Sequence, residues 1–98
     1  MMSQNYFAII SEDVSNSLAL RQTARPKHLE RLEILHSENR LLIAGPHPLP
    51  DSEGFSGSLV VAAFDHLEAA REWADADPYL EAGVYAKVVV KPFKKVLP

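Results

Sequence analysis

Apolar residues along this chain come in short blocks, contiguous in some places and periodic in others. Tyr6-Phe7-Ala8-Ile9-Ile10 is a nearly continuous apolar run, the pattern of a strand buried on both faces. Ser11 to Asn16 supply turn formers and N-caps, and from Ser17 the composition turns helical. Pro26 falls inside that stretch and predicts a kink or a fresh helix start near Arg25. Counting ~100° per residue from His28, positions Arg25, Leu29, Leu32, Leu35 and His36 share one arc, while Lys27, Glu30 and Glu33 fall outside it. The spacing predicts an amphipathic helix with His28 on its inward face, closed at Asn39-Arg40.

Leu41-Leu42-Ile43-Ala44 predicts a second strand that stops at Gly45-Pro46-His47-Pro48, where the prolines cannot continue a hydrogen-bonded ladder. A polar loop, Leu49 to Gly54, leads to a third strand at Ser58–Phe64. Asp65 followed by Glu68 has capping-box spacing and predicts a helix start at that strand's end. Leu67, Ala70, Trp73 and Ala74 then recur at helical spacing. The residue before Pro78 is biased out of the α region, so this helix ends there. Pro78 to Gly83 predicts one further helical turn closed by glycine, and Val84 to Val90, rich in β-branched residues, the last strand.

The order β-α-β-β-α-β is the split motif of an α+β, ferredoxin-like fold. A four-stranded antiparallel sheet with both helices on one face leaves its other face bare, and a second copy is a natural cover. Length supports this: 98 residues suit a single domain over 1–98, and a chain of this size buries only about 60 to 65% of its unfolded surface. With 47% hydrophobic residues, a shared homodimer face is expected.

The formal net charge of −3 argues against nucleic acid as a partner. The one basic cluster, Lys87, Lys91, Lys94 and Lys95, reads as a solvated strand edge and tail. The chain has no cysteine, which excludes disulfides, thiol nucleophiles and Cys-based zinc sites and fits a cytoplasmic location. The N-terminus has no signal-peptide pattern, and no window approaches the ~20 apolar residues of a membrane span. Dinucleotide, P-loop, zincin and nucleophile-elbow motifs are missing. His28, His36, His47 and His66 show no metal-ligand spacing, so no metal is expected.

A few residues carry possible chemistry. His28 is either a hydrogen-bonded core histidine or a proton donor and acceptor near neutral pH. Arg25, one turn earlier, could clamp a carboxylate or pair with a nearby acid. Asp77 follows a helix end, where the macrodipole disfavours its charge, yet it also suits an N-cap with proline at N1. Both roles hold if one oxygen caps while the other orients His28. Ser58 opens a core strand and could offer a hydroxyl to a ligand. Gly45 before Pro46 reads as a backbone constraint.

Arg25-Pro26-x-His28-Leu29, Arg40-Leu41-Leu42-x-Ala44-Gly45-Pro46, Gly54-Phe55-x-Gly57-Ser58, Ala74-Asp75-Ala76-Asp77-Pro78-Tyr79, Ala82-Gly83-Val84-Tyr85 and Val90-Lys91-Pro92-Phe93 together resemble the YCII-related family, in order and over nearly the whole chain. The resemblance implies a dimeric α+β barrel with a pocket in each subunit lined by a His-Asp pair. That pair falls on His28 and Asp77, with Arg25, Gly45 and Ser58 at motif positions beside it. It further implies a cofactor-free enzyme that moves a proton on a small aromatic or carboxylated molecule by elimination or isomerisation. The alternative is a module that binds such a molecule in the same pocket without turning it over.

Overall fold

A computed structural model describes residues 4–98. The elements are β1 (Tyr6–Asp13), α1 (Leu18–Ser37), β2 (Leu41–Pro48), β3 (Phe55–Ala63), α2 (Leu67–Asp75), α3 (Pro78–Glu81) and β4 (Tyr85–Phe93). The strands form one antiparallel sheet in the order β2-β3-β1-β4, the ferredoxin-like arrangement.

Strand period places Phe7, Ile9 and Ser11 of β1 with Ser58, Val60 and Ala62 of β3 on the face under the helices. Leu35 of α1 and Ala70 and Ala74 of α2 close the main core against that face. The opposite face carries Ala8, Ile10, Leu59, Val61 and Val89 in register, and among the described residues no helix covers it. Both faces being apolar accounts for the unbroken run in β1.

The structure departs from the pattern-based expectations at several points. Strand β1 does not end at Ile10, because Ser11 is buried in the pairing between Ser58 and Val88. Helix α1 runs through Pro26 without a fresh start. Proline there forfeits its N–H bond and crowds the carbonyl one turn back, and the helix continues nonetheless. Pro46 and Pro48 lie inside β2, and Pro92 inside β4. Both are edge strands, where a missing N–H forfeits no ladder bond. The cap of α2 is His66, whose Nδ1 accepts from the Ala69 amide at 3.1 Å, and not Asp65.

The buried stripe of α1 is Arg21, Ala24, His28 and Leu35, with Arg31 half-buried. It is rotated by roughly 60° from the expected arc, so Arg25, Leu29 and His36 are exposed. Two arginines, Arg21 and Arg31, accompany the rotation. Both face inward, where a hydrophobicity pattern assigns them to solvent.

Candidate active site

The rotation of α1 opens a cavity of about 570 Å³ between that helix and the β2–β3 side of the sheet. Arg25, His28, Gly45, Ser58 and Tyr79 are among its lining residues. Its remaining wall is mainly apolar, from Leu29, Leu32, Phe55 and Val60. Arg25 and Leu29, exposed to solvent at large, are wall residues here.

Asp77 reaches His28 because the chain breaks between two helices. Pro78 at the first position of α3 fixes the turn, and Asp77 becomes its N-cap, accepting the Tyr79 amide at 2.9 Å. The same oxygen, Oδ1, lies 2.9 Å from Nδ1 of His28. Capping and orienting therefore coexist on one carboxylate oxygen rather than being divided between two. The pair is buried, His28 at 7% and Asp77 at 5% exposure. With the carboxylate as acceptor, Nδ1 carries a proton, and in the neutral ring the lone pair then lies on Nε2. Tyr79 stacks on the imidazole at 3.9 Å with the planes 8° apart, which fixes the ring's plane as Asp77 fixes its rotation.

Arg25 forms no ion pair among the described residues. Its guanidinium stands at the cavity wall without a carboxylate partner. Ser58 is 5% exposed, and its hydroxyl shares a hydrogen bond of 2.7 Å with the Tyr85 hydroxyl. Gly45 does not carry the backbone constraint expected of it. Its φ is not in the left-handed region, and an added Cβ would meet nothing within 4 Å. The glycine that packing does require is Gly57, where a Cβ would fall 2.0 Å from the Ser11 carbonyl oxygen.

Three further residues shape this site. Arg21 is 5% exposed, donates to both carboxylate oxygens of Asp13 at 2.6 and 2.9 Å, and donates to the Gly57 carbonyl at 3.0 Å. Burial alone would lower its pKa, but the hydrogen bond and charge of Asp13 hold it above the ordinary arginine value. Its guanidinium lies 5.1 Å from the centre of the Tyr79 ring. Burial raises the Tyr79 phenol above the usual tyrosine range, against the opposing pull of Arg21 and Arg25. Arg31 lies 4.3 Å over the Trp73 ring and donates to the Trp73 carbonyl at 2.9 Å, tying α1 to the end of α2 just before Asp77. The i, i+4, i+8 spacing of Asp13, Ser17 and Arg21, and the seven residues from Arg21 to His28, were the available sequence signals.

The other histidines do not join His28: His36 and His47 are exposed, and His66 caps α2. Among the described residues no group of three or more His, Cys, Asp or Glu side chains could hold a metal ion. No helix among them is long and apolar enough to cross a membrane.

Comparison with known proteins shows the family and the fold. The model of the YCII-related domain matches residues 5–94. The Escherichia coli protein YciI is 56% identical over 95 residues, covering 92% of this chain and 97% of that one. A Haemophilus influenzae protein is 54% identical over 96 residues, covering 93% and 98%. Among solved structures, 5-chloro-2-hydroxyhydroquinone dehydrochlorinase from Burkholderia phenoliruptrix, in complex with 2,5-dihydroxybenzoquinone, superimposes with a TM-score of 0.80. It is 24% identical, with 91% of this chain and 93% of that one covered, so this likeness speaks to the fold.

Proposed function

The chain belongs to the YCII-related domain family, and from that premise we propose that it is an enzyme in which His28 moves a proton on a small oxygenated molecule. The observation that carries the proposal is the buried 2.9 Å contact between His28 Nδ1 and Asp77 Oδ1 at the wall of a cavity of about 570 Å³. Asp77 holds the Nδ1–H tautomer, and Nε2 takes a proton from carbon or returns one to it. Such transfer contributes typically about 10² to 10⁴ in rate. Arg25 meets a carboxylate or an ionised hydroxyl on the ligand, Ser58 offers a hydroxyl, and the apolar wall receives a ring. Gly45 keeps the mouth open. The reaction is an elimination or isomerisation, because among the described residues no activated nucleophile stands in the cavity to support hydrolysis.

A dehydrochlorinase of the same fold, crystallised with a dihydroxybenzoquinone, is consistent with a hydroxylated aromatic or quinonoid ligand. In this proposal a second copy covers the apolar sheet face to complete a dimeric α+β barrel in the cytoplasm. Light scattering at micromolar concentration tests that assembly, and a clean monomer rejects it.

The catalytic reading is tested by incubating hydroxylated and carboxylated aromatic compounds with the protein in D2O. Wild type should move deuterium into a ligand, or expel a leaving group from it. His28→Gln should bind the same ligand and do neither. Tight binding that His28→Gln leaves unchanged, with no exchange in wild type, would identify a binding module instead.

A further inference from the structure

Strand β4 contains a register shift where it passes Glu12 and Asp13. Glu12 pairs with Lys87, but Asp13 pairs with Tyr85 and not Ala86. In a regular strand, Tyr85 would share the uncovered face with Lys87, because side chains alternate. The extra residue turns it over, and Tyr85 lies buried on the helix side at 8% exposure while Ala86 is exposed.

From β4 the Tyr85 side chain reaches across β1, the intervening strand, to β3. There its hydroxyl meets Ser58 Oγ at 2.7 Å. Its ring packs edge-on against Tyr79, with centroids 5.7 Å apart and planes at 88°. Tyr79 in turn stacks on His28. One displaced side chain thus touches the serine of one cavity wall and buttresses the histidine of the other.

We propose that Tyr85 is a positioning residue for the cavity: its phenol donates to Ser58 Oγ, which turns the Ser58 hydroxyl proton toward the ligand as a donor to an anionic oxygen. The phenol is the more acidic of the two hydroxyls and hence the better donor. Burial pushes Tyr85 up to about 12, so it keeps its proton throughout the neutral range. Ser58 Oγ has no other protein partner among the described residues, which leaves its own proton free to turn. When His28 withdraws a proton from carbon, charge develops on the conjugated oxygen, and a fixed donor on the facing wall stabilises it. The ligand class that follows is an enol, phenol or hydroxyquinone that becomes an oxyanion. This inference rests on the proposed reading of the cavity as a site for a small oxygenated ligand.

The test combines a ligand-free readout with a binding readout. The tyrosine Fermi doublet in Raman spectra distinguishes a donating phenol from an accepting one, and subtracting the Tyr85→Phe spectrum isolates Tyr85. The expected result is a donor signature in wild type that weakens in Ser58→Ala. Titration with 2,5-dihydroxybenzoquinone should show binding about tenfold weaker in Tyr85→Phe than in wild type, the worth of one hydrogen bond. An acceptor signature, or equal affinity in the two proteins, overturns the proposal. If wild type fails to bind the quinone, the ligand class of the proposed function falls, and the Raman result alone decides the role of Tyr85. Should Tyr85→Phe fold poorly, the Raman difference between wild type and Ser58→Ala still reports whether the phenol donates to Ser58, and no donor signature there overturns the proposal.

Discussion

Replacing Asp13 by alanine should be among the most damaging single changes in this protein. The Asp13 carboxylate is 1% exposed and accepts from Arg21 Nε at 2.6 Å, Arg21 Nη2 at 2.9 Å and Ser17 Oγ at 2.5 Å. Without it, the Arg21 guanidinium keeps one bond, to the Gly57 carbonyl, and remains a buried charge with no counter-ion. Breaking a buried pair from one side costs about 3 to 5 kcal/mol. For a chain of this length each kcal/mol shifts Tm by roughly 4 to 8 °C, so a fall of at least about 12 °C is expected. Urea denaturation with a common m-value provides the free energy, and circular dichroism the midpoint. Arg21→Met in the Asp13→Ala background removes the stranded charge, keeps most of the volume, and should recover more than half of the loss. A cost below about 1 kcal/mol for Asp13→Ala, or a double variant as unstable as the single, would show that the loss is not one of uncompensated charge.

Stability should fall as pH rises from about 10 to about 12, because Tyr85 ionises near its ordinary value in the unfolded chain and only near about 12 in the folded protein. That linkage is worth roughly 2 to 3 kcal/mol; urea midpoints across this range should show it, and Tyr85→Phe should remove it, leaving only the fall that the raised Tyr79 contributes. Gly57→Ala places a methyl group 2.0 Å from the Ser11 carbonyl, so a loss of about 3 kcal/mol or more is expected by the same assay; a neutral substitution would contradict the β1–β3 geometry. Arg25→Gln should leave the melting temperature within about 2 °C, since the side chain is exposed, while calorimetry with an anionic aromatic ligand shows at least about tenfold weaker binding. Unchanged affinity would remove Arg25 from the site.

Most of the architecture was legible because it rests on period. The apolar run at Tyr6–Ile10, the 3.6-residue recurrence in α2 and the Asp77-Pro78 break each dictate one local structure, and their order leaves few topologies. The candidate His28–Asp77 pair was less legible. Its members are 49 positions apart, and only the inward position of His28 and the capping role of Asp77 are visible locally. Their meeting depends on how α1 rolls on the sheet, and in the observed roll Arg21 and Arg31 face inward. Hydrophobicity places both arginines in solvent. Arg21 is held by Asp13 eight residues earlier and by the Gly57 carbonyl, and half-buried Arg31 by the Trp73 carbonyl 42 positions on, so hydrophobicity alone does not mark either as inward-facing. The role of Tyr85 was illegible for a related reason: strand alternation predicts the wrong face, and the bulge that reverses it shows only in the pairing with β1. Proline misleads in the opposite direction, because Pro46, Pro48 and Pro92 break a ladder only where a neighbouring strand needs their N–H.

The central claim is that Asp77 fixes the tautomer of His28 so that Nε2 presents a lone pair to the cavity. Nitrogen-15 NMR of the His28 ring measures this directly, since protonated and unprotonated ring nitrogens resonate far apart. In wild type at a pH where the ring is neutral, the account predicts a protonated Nδ1 and an unprotonated Nε2, giving way to a mixture of tautomers in Asp77→Asn. A proton on Nε2 in wild type, or the same tautomer balance in both proteins, would contradict it.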